Sequence, residues 1–555
     1  MSDSSPALRV QDRYDEPTIS EFRASRYWRD DVLSERIDHW AEETPERVLV
    51  TDGYGSLTAR SLRDKAYRLA ASLRGLGVAS GDRVQVQLPN WNEFVIAYVA
   101  ITRIGAILVP TMPIYRHDEV RHVLQHSGAR VSIVPEEFRK FDYRAMLEEI
   151  RPDCPDLQHV ITVRSTKGQG LLRFEDLTSG PEPTPGELGE PPSPDAPHCI
   201  IYTSGTESRP KGCLHTMNTV SFTVYALGAD VMKLGVDDVM FMPSPITHAT
   251  GLAMGVTAPL FLGSGIHLMD VWEAKEGLRR VAEYRCTATM TATPFVHMAL
   301  EAVLKSPESA ELLASLSRWA CAGAPIPESL LHRWSERLSG CALLPVYGRS
   351  EGLLVTACSM EDSPEQVLSS DGRALDGVVL EIRGEDGRLR EAGEEGEIWH
   401  GGPGLMLGYW NDPERTAASI DARGISATGD LGRVDSKGYL RVTGRIKDLI
   451  IRGGTNISAA EVENHLLTHP RVAQAAVVAA PDKRLGEKAC AFIVPRGQAP
   501  TLAELTAYLR DERRIAVQKL PEMLQIVPEL PTTSTGKVQK FVLRDIARGI
   551  AEKPE

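Results

Sequence analysis

Apolar residues in the first two hundred positions alternate between helical and strand spacing. In SLRDKAYRLAASLRGLGV, residues 61–78, apolar side chains recur every three or four positions, which predicts a helix with one buried face. The next segment, GDRVQVQLPN, alternates in the manner of a strand, and EFVIAYVAITRIGAILVP, residues 93–110, predicts a buried helix followed by a short strand. Repeated alternation of this kind predicts an α/β fold in which helices cover mostly parallel sheets.

Length and two changes in the pattern predict how the chain is divided. A chain of 555 residues exceeds what one hydrophobic core usually organises, so at least two domains are expected. Residues 179–198 are rich in proline, glycine and acidic residues, which predicts a surface connection leading into the apolar run CII. Beyond Gly444 the sequence predicts a compact α+β unit of about one hundred residues, so that a large N-terminal domain precedes a small C-terminal one.

Composition and charge favour small-molecule chemistry. The chain is 42% hydrophobic and 25% charged, as in globular proteins, and its formal net charge of −13 argues against nucleic acid or an anionic membrane as a partner. No apolar stretch is long enough to span a membrane, and the first residues lack the apolar core of a signal peptide. The eight cysteines form no CxxC pair, which indicates reduced thiols and argues against structural zinc. We therefore expect a cytoplasmic protein.

The segment YTSGTESRPKG, residues 202–212, predicts a polyphosphate site. A strand that runs into serine, threonine and glycine presents backbone N–H groups and hydroxyls around a concavity, and a lysine adds positive charge. The spacing is not that of a Walker loop, because the lysine is followed by glycine. A polar surface turn is the alternative interpretation. The candidate phosphate-binding residues are Thr203, Ser204, Gly205, Thr206 and Lys211.

This segment resembles the phosphate loop of the adenylate-forming superfamily, which includes acyl- and aryl-CoA synthetases, peptide-synthetase adenylation domains and luciferases. The usual motif is [ST]SGTTGxPKG, and here Glu207 and Ser208 replace the commoner threonine and glycine. We expect this departure to change the kinetics of the loop without abolishing function. Further motifs follow in family order, and the resemblance extends from about Trp28 to Arg544.

Four of these motifs carry residues that the resemblance assigns to ATP, to Mg²⁺ and to catalysis. They are CAGAPIP, VYGRSEG, the long segment ATGDLGRVDSKGYLRVTGRIKDLIIRGGTNI, and PTTSTGKVQKFVLR. The resemblance implies that Gly323, Ala324 and Pro325 line adenine, that Tyr347 stacks on it beside Gly348, that Ser350 touches the α-phosphate, that Glu351 holds Mg²⁺, that Asp430 binds the ribose hydroxyls, that Arg445 lies near ribose and phosphate, and that Lys537 is the catalytic lysine. Oxygen ligands suit Mg²⁺ that bridges phosphates. Each residue alone has a structural alternative, and their common order favours the functional interpretation.

The resemblance also implies a hinge and a thiol-binding turn. In the superfamily the small C-terminal domain rotates about a residue two positions beyond the motif arginine, which here is Lys447. We therefore predict domains at residues 1–446 and 447–555, the second of them mobile. Gly453 and Gly454 would let the pantetheine arm of CoA pass close to the backbone. A simple hairpin turn is the alternative for these two glycines.

The acid to be activated is predicted only as a class. PSPITHATGLAMG, residues 243–255, resembles the segment whose histidine, here His248, lies at the carboxylate and acyl pocket as a catalytic residue; a core histidine is the alternative. The segment has no acid placed to hold an α-amino group, which favours a plain carboxylic acid, and its apolar residues favour an aliphatic, alicyclic or aromatic one. TRIGAILVPTMPIYRHDEV resembles the cyclohexanecarboxylate-CoA ligase branch most, with medium-chain acyl ligases next.

We expect an AMP-forming acyl-CoA synthetase, an acid–thiol ligase that uses ATP, Mg²⁺ and CoA. The alternative is an adenylating enzyme that passes its acyl group to a carrier protein or to a separate thiolating partner. A luciferase-like oxygenase is more remote. A non-catalytic binding protein is disfavoured because Glu351, Asp430, Arg445 and Lys537 are all present. Homodimers are common in the superfamily, and nothing in this sequence indicates one.

Overall fold

A mostly parallel sheet carries the phosphate-loop segment. The computed structural model describes residues 8–166, 172–203, 209–323, 326–533 and 537–551. In spatial order, the described strands of this sheet are Gly408–Tyr409, Lys211–Thr216, Pro197–Thr203, Ile107–Pro110, Arg83–Val86, Val131–Pro135, His159–Val163 and Leu172–Arg173. The first two of these strands are antiparallel to their neighbours, and the remaining pairs are parallel.

A second sheet has a parallel centre and antiparallel edges. Its described strands, in spatial order, are Arg373–Ala374, Leu353–Ala357, Ala342–Arg349, Arg318–Ala322, Ala288–Ala292, Val239–Met242, Gly265–Leu268, Val48–Thr51 and Ser56–Thr58. The strand pairs from Ala342–Arg349 to Val48–Thr51 are parallel. The largest hydrophobic core joins this sheet to the first one, with Met240 and Val84 among its buried members.

Helices cover both sheets, and one of them is buried almost completely. In the helix Asn92–Arg103 every residue except Glu93 is buried, since it lies in the core shared by the two sheets. The other described α-helices of this part are Val10–Arg13, Glu16–Ala24, Leu33–Glu43, Ala59–Gly75, His117–Ser127, Tyr143–Ile150, Phe174–Thr178, Pro185–Leu188, Met217–Thr223, Ala258–Leu262, Ala274–Glu283, Thr293–Lys305, Glu328–Arg337, Pro364–Ser369 and Pro413–Ser419. Two π-helical segments, Val224–Val231 and Gly251–Thr257, pack against each other.

Two smaller units follow, and a short hairpin within the large domain pairs Glu137–Phe138 with Phe141–Asp142. An antiparallel sheet contains Val379–Arg383, Gly396–Gly401, Ser426–Val434 and Leu440–Arg445. The C-terminal domain has its own sheet and its own hydrophobic core. Its described strands are Thr455–Ser458, Leu449–Arg452, Gly486–Pro495, Val472–Asp482 and Met523–Ile526, and its helices are Ala459–Leu467, Leu502–Ala507 and Lys540–Ala551, with a π-helical turn at Tyr508–Glu512.

The predicted fold class is confirmed, with one local difference. Four elements lie where the apolar pattern predicts them: the helices Ala59–Gly75 and Asn92–Arg103 and the strands Arg83–Val86 and Ile107–Pro110. The predicted surface connection 179–198 is exposed or half-buried over most of its length, but Leu188 and His198 are buried and the last two residues belong to the next strand. The exact domain boundary stays a prediction. None of the helices in the described ranges has the length and apolar character needed to cross a membrane.

Candidate active site

Strand pairing holds the two ends of the phosphate loop. Thr203 ends one strand and Lys211 begins the next, and these two residues are partners in the antiparallel register. The loop therefore leaves the sheet at the carboxyl end of a strand, which is where ligands bind in open α/β sheets. The predicted site residues Ser204, Gly205, Thr206, Ala324 and Pro325 lie outside the described residues.

Glu351 is buried close to this loop and is held by two donors. The Tyr409 hydroxyl donates to Glu351 Oε1 at 2.7 Å, and Arg349 Nη2 lies 2.9 Å from the same oxygen. Tyr409 also lies next to Lys211, whose Nζ is 5.3 Å from the centroid of the tyrosine ring. Two donors of the protein thus hold the carboxylate of Glu351 through its Oε1 oxygen.

This arrangement fits Mg²⁺ that is bound mainly through phosphates. In the part of the chain that the structure describes, no group of three or more His, Cys, Asp or Glu residues could hold a metal ion. Mg²⁺ commonly takes one or two carboxylates and completes its shell with phosphate oxygens and water. Glu351 would supply such a carboxylate.

The charges around Glu351 keep its carboxylate ionised. Burial alone would raise the pKa of Glu351, but the guanidinium of Arg349 and the hydroxyl of Tyr409 hold this pKa below its ordinary value. Burial alone would lower the pKa of Arg349, but the negative charge of Glu351 raises this pKa above its ordinary value. A buried, paired charge of this kind remains available at neutral pH.

Two buried histidines support the segment that carries Glu351. His215 Nε2 donates to the backbone oxygen of Ser350 at 2.8 Å. The ring of His400 fills the space beside Gly352, where an added Cβ would lie 2.1 Å from its Cε1 atom. Burial lowers the pKa of His215 to about 4 and that of His400 to about 3, so both rings are neutral at physiological pH. Their role in this structure is support.

Three residues predicted for the nucleotide meet at one carboxylate. The Tyr347 hydroxyl donates to Asp430 Oδ2 at 2.8 Å, and Arg445 Nε lies 2.8 Å from Asp430 Oδ1. Asp430 and Arg445 are partners in register across two antiparallel strands, which fixes their spacing. Next to Tyr347, Gly348 approaches Leu353 so closely that an added Cβ would lie 2.1 Å from its backbone oxygen. Only glycine fits at that position.

Lys537 reaches from the C-terminal domain into the same site. Its Cε atom lies 3.6 Å from where a Cβ on Gly323 would be, in the predicted adenine segment. Burial, and next the positive charge of Arg445, lower the pKa of Lys537 to about 8. Burial, and next the charge of Lys537, lower the pKa of His248 to about 4. The charge of the predicted catalytic lysine therefore acts on the predicted acyl-site histidine.

Lys447, the predicted hinge, lies in a short turn between the strands Leu440–Arg445 and Leu449–Arg452. Lys447 is the central residue of the 3₁₀ turn Ile446–Asp448, and the C-terminal sheet begins directly afterwards at Leu449. Arg544 Nη1 donates to the backbone oxygen of Lys447 at 3.1 Å and lies 3.4 Å from Asp448 Oδ1. The last helix of the chain is thus attached to the turn.

Gly453 and Gly454 form a two-residue hairpin turn. A hairpin turn was the alternative to a thiol-binding role for these two glycines. Their φ angles are +56° and +84°, which glycine adopts at little cost, and they join the strands Leu449–Arg452 and Thr455–Ser458. The Gly453 N–H donates to the backbone oxygen of Leu485 at 2.8 Å, within the C-terminal domain. Their contact with CoA stays a prediction.

Motif reasoning missed four residues of this site: Arg349, Tyr409, His215 and His400. Arg349 lies within the VYGRSEG motif, two residues before Glu351. Its positive charge there could have predicted an ion pair with that acid. Tyr409 is 58 residues away from Glu351 along the chain, and strand pairing with Cys213 brings it into place. His215 and His400 are each a polar residue within a mostly apolar strand. This pattern is weak evidence for a functional site, because core histidines whose hydrogen bonds are satisfied are common.

The motifs that carry the predicted phosphate loop, Glu351 and Lys537 are those by which the sequence resembles adenylate-forming enzymes. The chain belongs to this family: residues 37–410 match the AMP-binding enzyme family, and residues 461–537 match the AMP-binding enzyme C-terminal domain. The resemblance predicted from the motifs is confirmed. The protein is thus an adenylate-forming enzyme that activates an acid.

Relatives with known activities include both CoA ligases and adenylating ligases. The chain is 34% identical to the medium-chain fatty-acid–CoA ligase of Escherichia coli K12, covering 98% of this chain and 96% of that one. It is also 34% identical to the salicyl-AMP ligase/salicyl-S-ArCP synthetase of Mycobacterium tuberculosis, covering 96% and 94%. Among solved structures, the anthranilate CoA ligase AuaEII in complex with anthranoyl-AMP has a TM-score of 0.84 at 26% identity, covering 93% and 98%.

Proposed function

We propose that the protein is an acyl-CoA synthetase that activates an apolar carboxylic acid with ATP and transfers the acyl group to CoA. The observation that carries this proposal is the position of Lys537, whose Cε atom lies beside Gly323 in the predicted adenine segment. Its positive charge also acts on His248 in the predicted acyl segment. Similarity to a medium-chain fatty-acid–CoA ligase supports both CoA and an apolar acid.

In the first half-reaction a carboxylate oxygen bonds to the α-phosphorus of ATP while the bond to the β-phosphate breaks. Negative charge builds up on the nonbridging oxygens, so catalysis depends on positioning and electrostatics. Lys537 would stabilise charge on the α-phosphate, and Lys211 would bind the leaving phosphates. Bound Mg²⁺, held by Glu351, would supply further charge neutralisation. Asp430 would accept hydrogen bonds from the ribose hydroxyls.

In the second half-reaction the thiol of CoA attacks the acyl carbon and AMP leaves. We propose that rotation about Lys447 removes Lys537 from the site and brings the Gly453–Gly454 turn towards it. A hinge of this kind needs only a few residues that absorb a large backbone change. Ile446 and Lys447 are both exposed, and Arg544 attaches the turn to the last helix of the C-terminal domain.

Acid-dependent release of pyrophosphate tests the proposed acid class. The protein would be incubated with MgATP and medium-chain, alicyclic and aryl acids, with amino acids as the comparison. We expect release with at least one apolar acid and none with amino acids, because no acidic residue in the acyl segment is placed to hold an ammonium group. Release with an amino acid and with no apolar acid would contradict the proposal.

The pH dependence of adenylation should follow Lys537. Its pKa of about 8 means that the charged form is present below this pH and is lost above it. We expect kcat/KM for acyl-AMP formation, which reports the free enzyme, to fall about tenfold per pH unit above pH 8. In Lys537→Arg the charge persists, so this decline should disappear even if the rate is lower. A wild-type profile that stays flat to about pH 9.5 would contradict this role.

Tyr409 should position Glu351 for the metal–nucleotide complex. In Tyr409→Phe the carboxylate loses its hydroxyl donor at 2.7 Å. We expect the Kd of MgATP to rise about tenfold, because hydrogen bonds to charged groups contribute about 1.5–3 kcal/mol, while the Kd of AMP stays within twofold. Calorimetric titration measures both constants.

The matched control is Tyr439→Phe, which also removes a tyrosine hydroxyl that donates to a carboxylate, here Asp362 Oδ1 at 2.6 Å. It should leave both constants within twofold of wild type. A folded Tyr409→Phe variant with unchanged affinity for MgATP would remove Tyr409 from the metal site.

A second candidate function is adenylation followed by transfer to a carrier protein. It is favoured by the equal identity, 34%, to a protein whose name includes both salicyl-AMP ligase and salicyl-S-ArCP synthetase. Under this alternative, acyl-AMP forms normally but added CoA yields no thioester.

A further inference from the structure

The first helices of the chain form an arm that packs against one face of the first sheet. We define the N-terminal arm as residues 8–28, which contain the helices Val10–Arg13 and Glu16–Ala24. Its buried apolar side chains are those of Val10, Tyr14, Ile19, Phe22 and Trp28. Ile200 of the sheet packs against the arm, whereas its neighbour Ile201 belongs to the largest core, because successive residues of a strand face opposite sides. The arm therefore covers the sheet face opposite that core.

Three aromatic rings give the N-terminal arm a fixed geometry. Tyr14, Phe22 and Trp28 form three edge-to-face pairs, with ring centroids 5.1 to 5.5 Å apart. Trp28 is 1% exposed and Tyr14 is 7% exposed. A buried indole N–H and a buried hydroxyl each require a hydrogen-bond acceptor. The cluster thus holds two donors in fixed positions inside the protein.

Both donors bind one irregular segment, residues 402–407, which connects two strands. Three of its backbone oxygens accept hydrogen bonds from the arm: those of Gly402, Pro403 and Leu405. The Tyr14 hydroxyl donates to Leu405 at 2.9 Å and to Gly402 at 3.3 Å, and the Trp28 indole N–H donates to Pro403 at 3.0 Å. Carbonyl groups outside regular structure need such partners when they are buried. The arm therefore determines where this connecting segment lies.

The connecting segment in turn leads to Glu351. The Met406 N–H donates to the backbone oxygen of Glu351 at 2.7 Å, and the Tyr409 hydroxyl donates to its Oε1 at 2.7 Å. Between these two donors, Gly408 lies against the arm, since an added Cβ there would be 2.7 Å from Leu8 Cδ1. A continuous series of contacts thus runs from the arm to the carboxylate of Glu351.

We propose that Tyr14 and Trp28 are positioning residues for Glu351, which act through the connecting segment 402–407 and the Tyr409 hydroxyl. The inference rests on the proposed function, in which Glu351 holds the Mg²⁺ of MgATP. Removing either donor leaves a buried carbonyl oxygen without its partner, so the segment shifts and the Tyr409 hydroxyl is no longer held at its present distance from Glu351. The arm precedes residue 37, where the match to the AMP-binding enzyme family begins.

Binding measurements on the full-length protein distinguish positioning from packing. Tyr14→Phe and Trp28→Phe each remove one donor and keep an aromatic ring in the core. MgATP and AMP would be titrated into both variants by calorimetry. We expect the Kd of MgATP to rise about three- to fivefold and the Kd of AMP to stay within about 1.5-fold, because a neutral hydrogen bond contributes less than the charge-assisted one of Tyr409. A packing role alone would lower the free energy of unfolding and leave both constants of the folded protein unchanged.

The matched control is Trp40→Phe, which removes an indole N–H that donates to the backbone oxygen of Leu260 at 2.8 Å. It should leave the Kd of MgATP and that of AMP unchanged. Thermal unfolding shows whether each variant is folded, and a folded Trp28→Phe protein suffices if Tyr14→Phe does not fold. Unchanged affinity for MgATP in the folded arm variants would overturn the proposal.

A double variant tests the route through Tyr409. In Tyr14→Phe/Tyr409→Phe the Kd of MgATP should stay within about 1.5-fold of that of Tyr409→Phe alone, because the hydroxyl that the arm positions is already absent. Effects that simply multiply in the double variant would show that the arm and Tyr409 act independently, and would overturn the proposed route.

The same measurements separate the role of the arm from the proposed function. Affinity for MgATP that depends on Tyr14, in a protein that releases no pyrophosphate with any acid, would support the arm and contradict the synthetase. Acid-dependent release of pyrophosphate, in a protein whose affinity for MgATP is the same with and without the Tyr14 hydroxyl, would support the synthetase and overturn the role of the arm.

Discussion

Replacing Lys537 with alanine is expected to lower the rate of acyl-AMP formation by at least about 10². Preorganised charge at a site of developing negative charge commonly contributes this much. Lys537 is placed to supply it, since its side chain passes over Gly323 and its charge acts on His248. The rate would be measured as acid-dependent pyrophosphate release in a single turnover.

The control is Lys519→Ala, which removes another lysine of the C-terminal domain, paired with Glu461 at 2.7 Å. A part-exposed pair contributes little, so its rate should stay within twofold of wild type. Lys537→Ala supplied with synthetic acyl-AMP and CoA should still form the thioester, which shows that the variant is folded. Adenylation within a few-fold of wild type would remove Lys537 from the mechanism.

Replacing Lys447 with proline is expected to abolish thioester formation while leaving acyl-AMP formation within about threefold of wild type. Proline fixes φ near −65°, so a residue that must change its backbone angles between two domain orientations can no longer do so. In the structure Lys537 is already in the site, so the orientation needed for adenylation is the one retained. The two half-reactions would be measured separately, with pyrophosphate release for the first and CoA consumption from acyl-AMP for the second.

Lys447→Ala is the matched control, because alanine removes the same side chain and keeps φ free. Both half-reactions should proceed in it. Equal loss of both half-reactions in Lys447→Pro, with both retained in Lys447→Ala, would contradict a hinge at this position.

The sequence predicts the elements of this fold well because they are coded locally. The apolar spacing in residues 61–78 depends on neighbours three and four positions apart, and the helix forms there with those side chains buried. The predicted connection 179–198 was less accurate at its end, because His198 is polar but lies buried in a strand and bonds to Tyr98. The burial of His198 depends on tertiary contacts, which local composition cannot predict.

The candidate site was predictable only in part, for a similar reason. Asp430 and Arg445 stand in one motif and become register partners. Tyr409 and Glu351 meet only after distant strands have paired, so no spacing in the sequence reports their contact. The proposed apolar acid would be bound by apolar side chains, and these are of the same kind as those of any hydrophobic core. Phosphate chemistry demands particular residue types, whereas an apolar pocket does not.

The most direct test of the central claim is to identify the products formed from MgATP and an accepted acid, with and without CoA, by mass spectrometry. Our account predicts acyl-CoA and AMP when CoA is present, and only enzyme-bound acyl-AMP and pyrophosphate when it is absent. Acyl-AMP that accumulates equally with and without CoA would contradict the synthetase and would identify an adenylating enzyme with another acceptor.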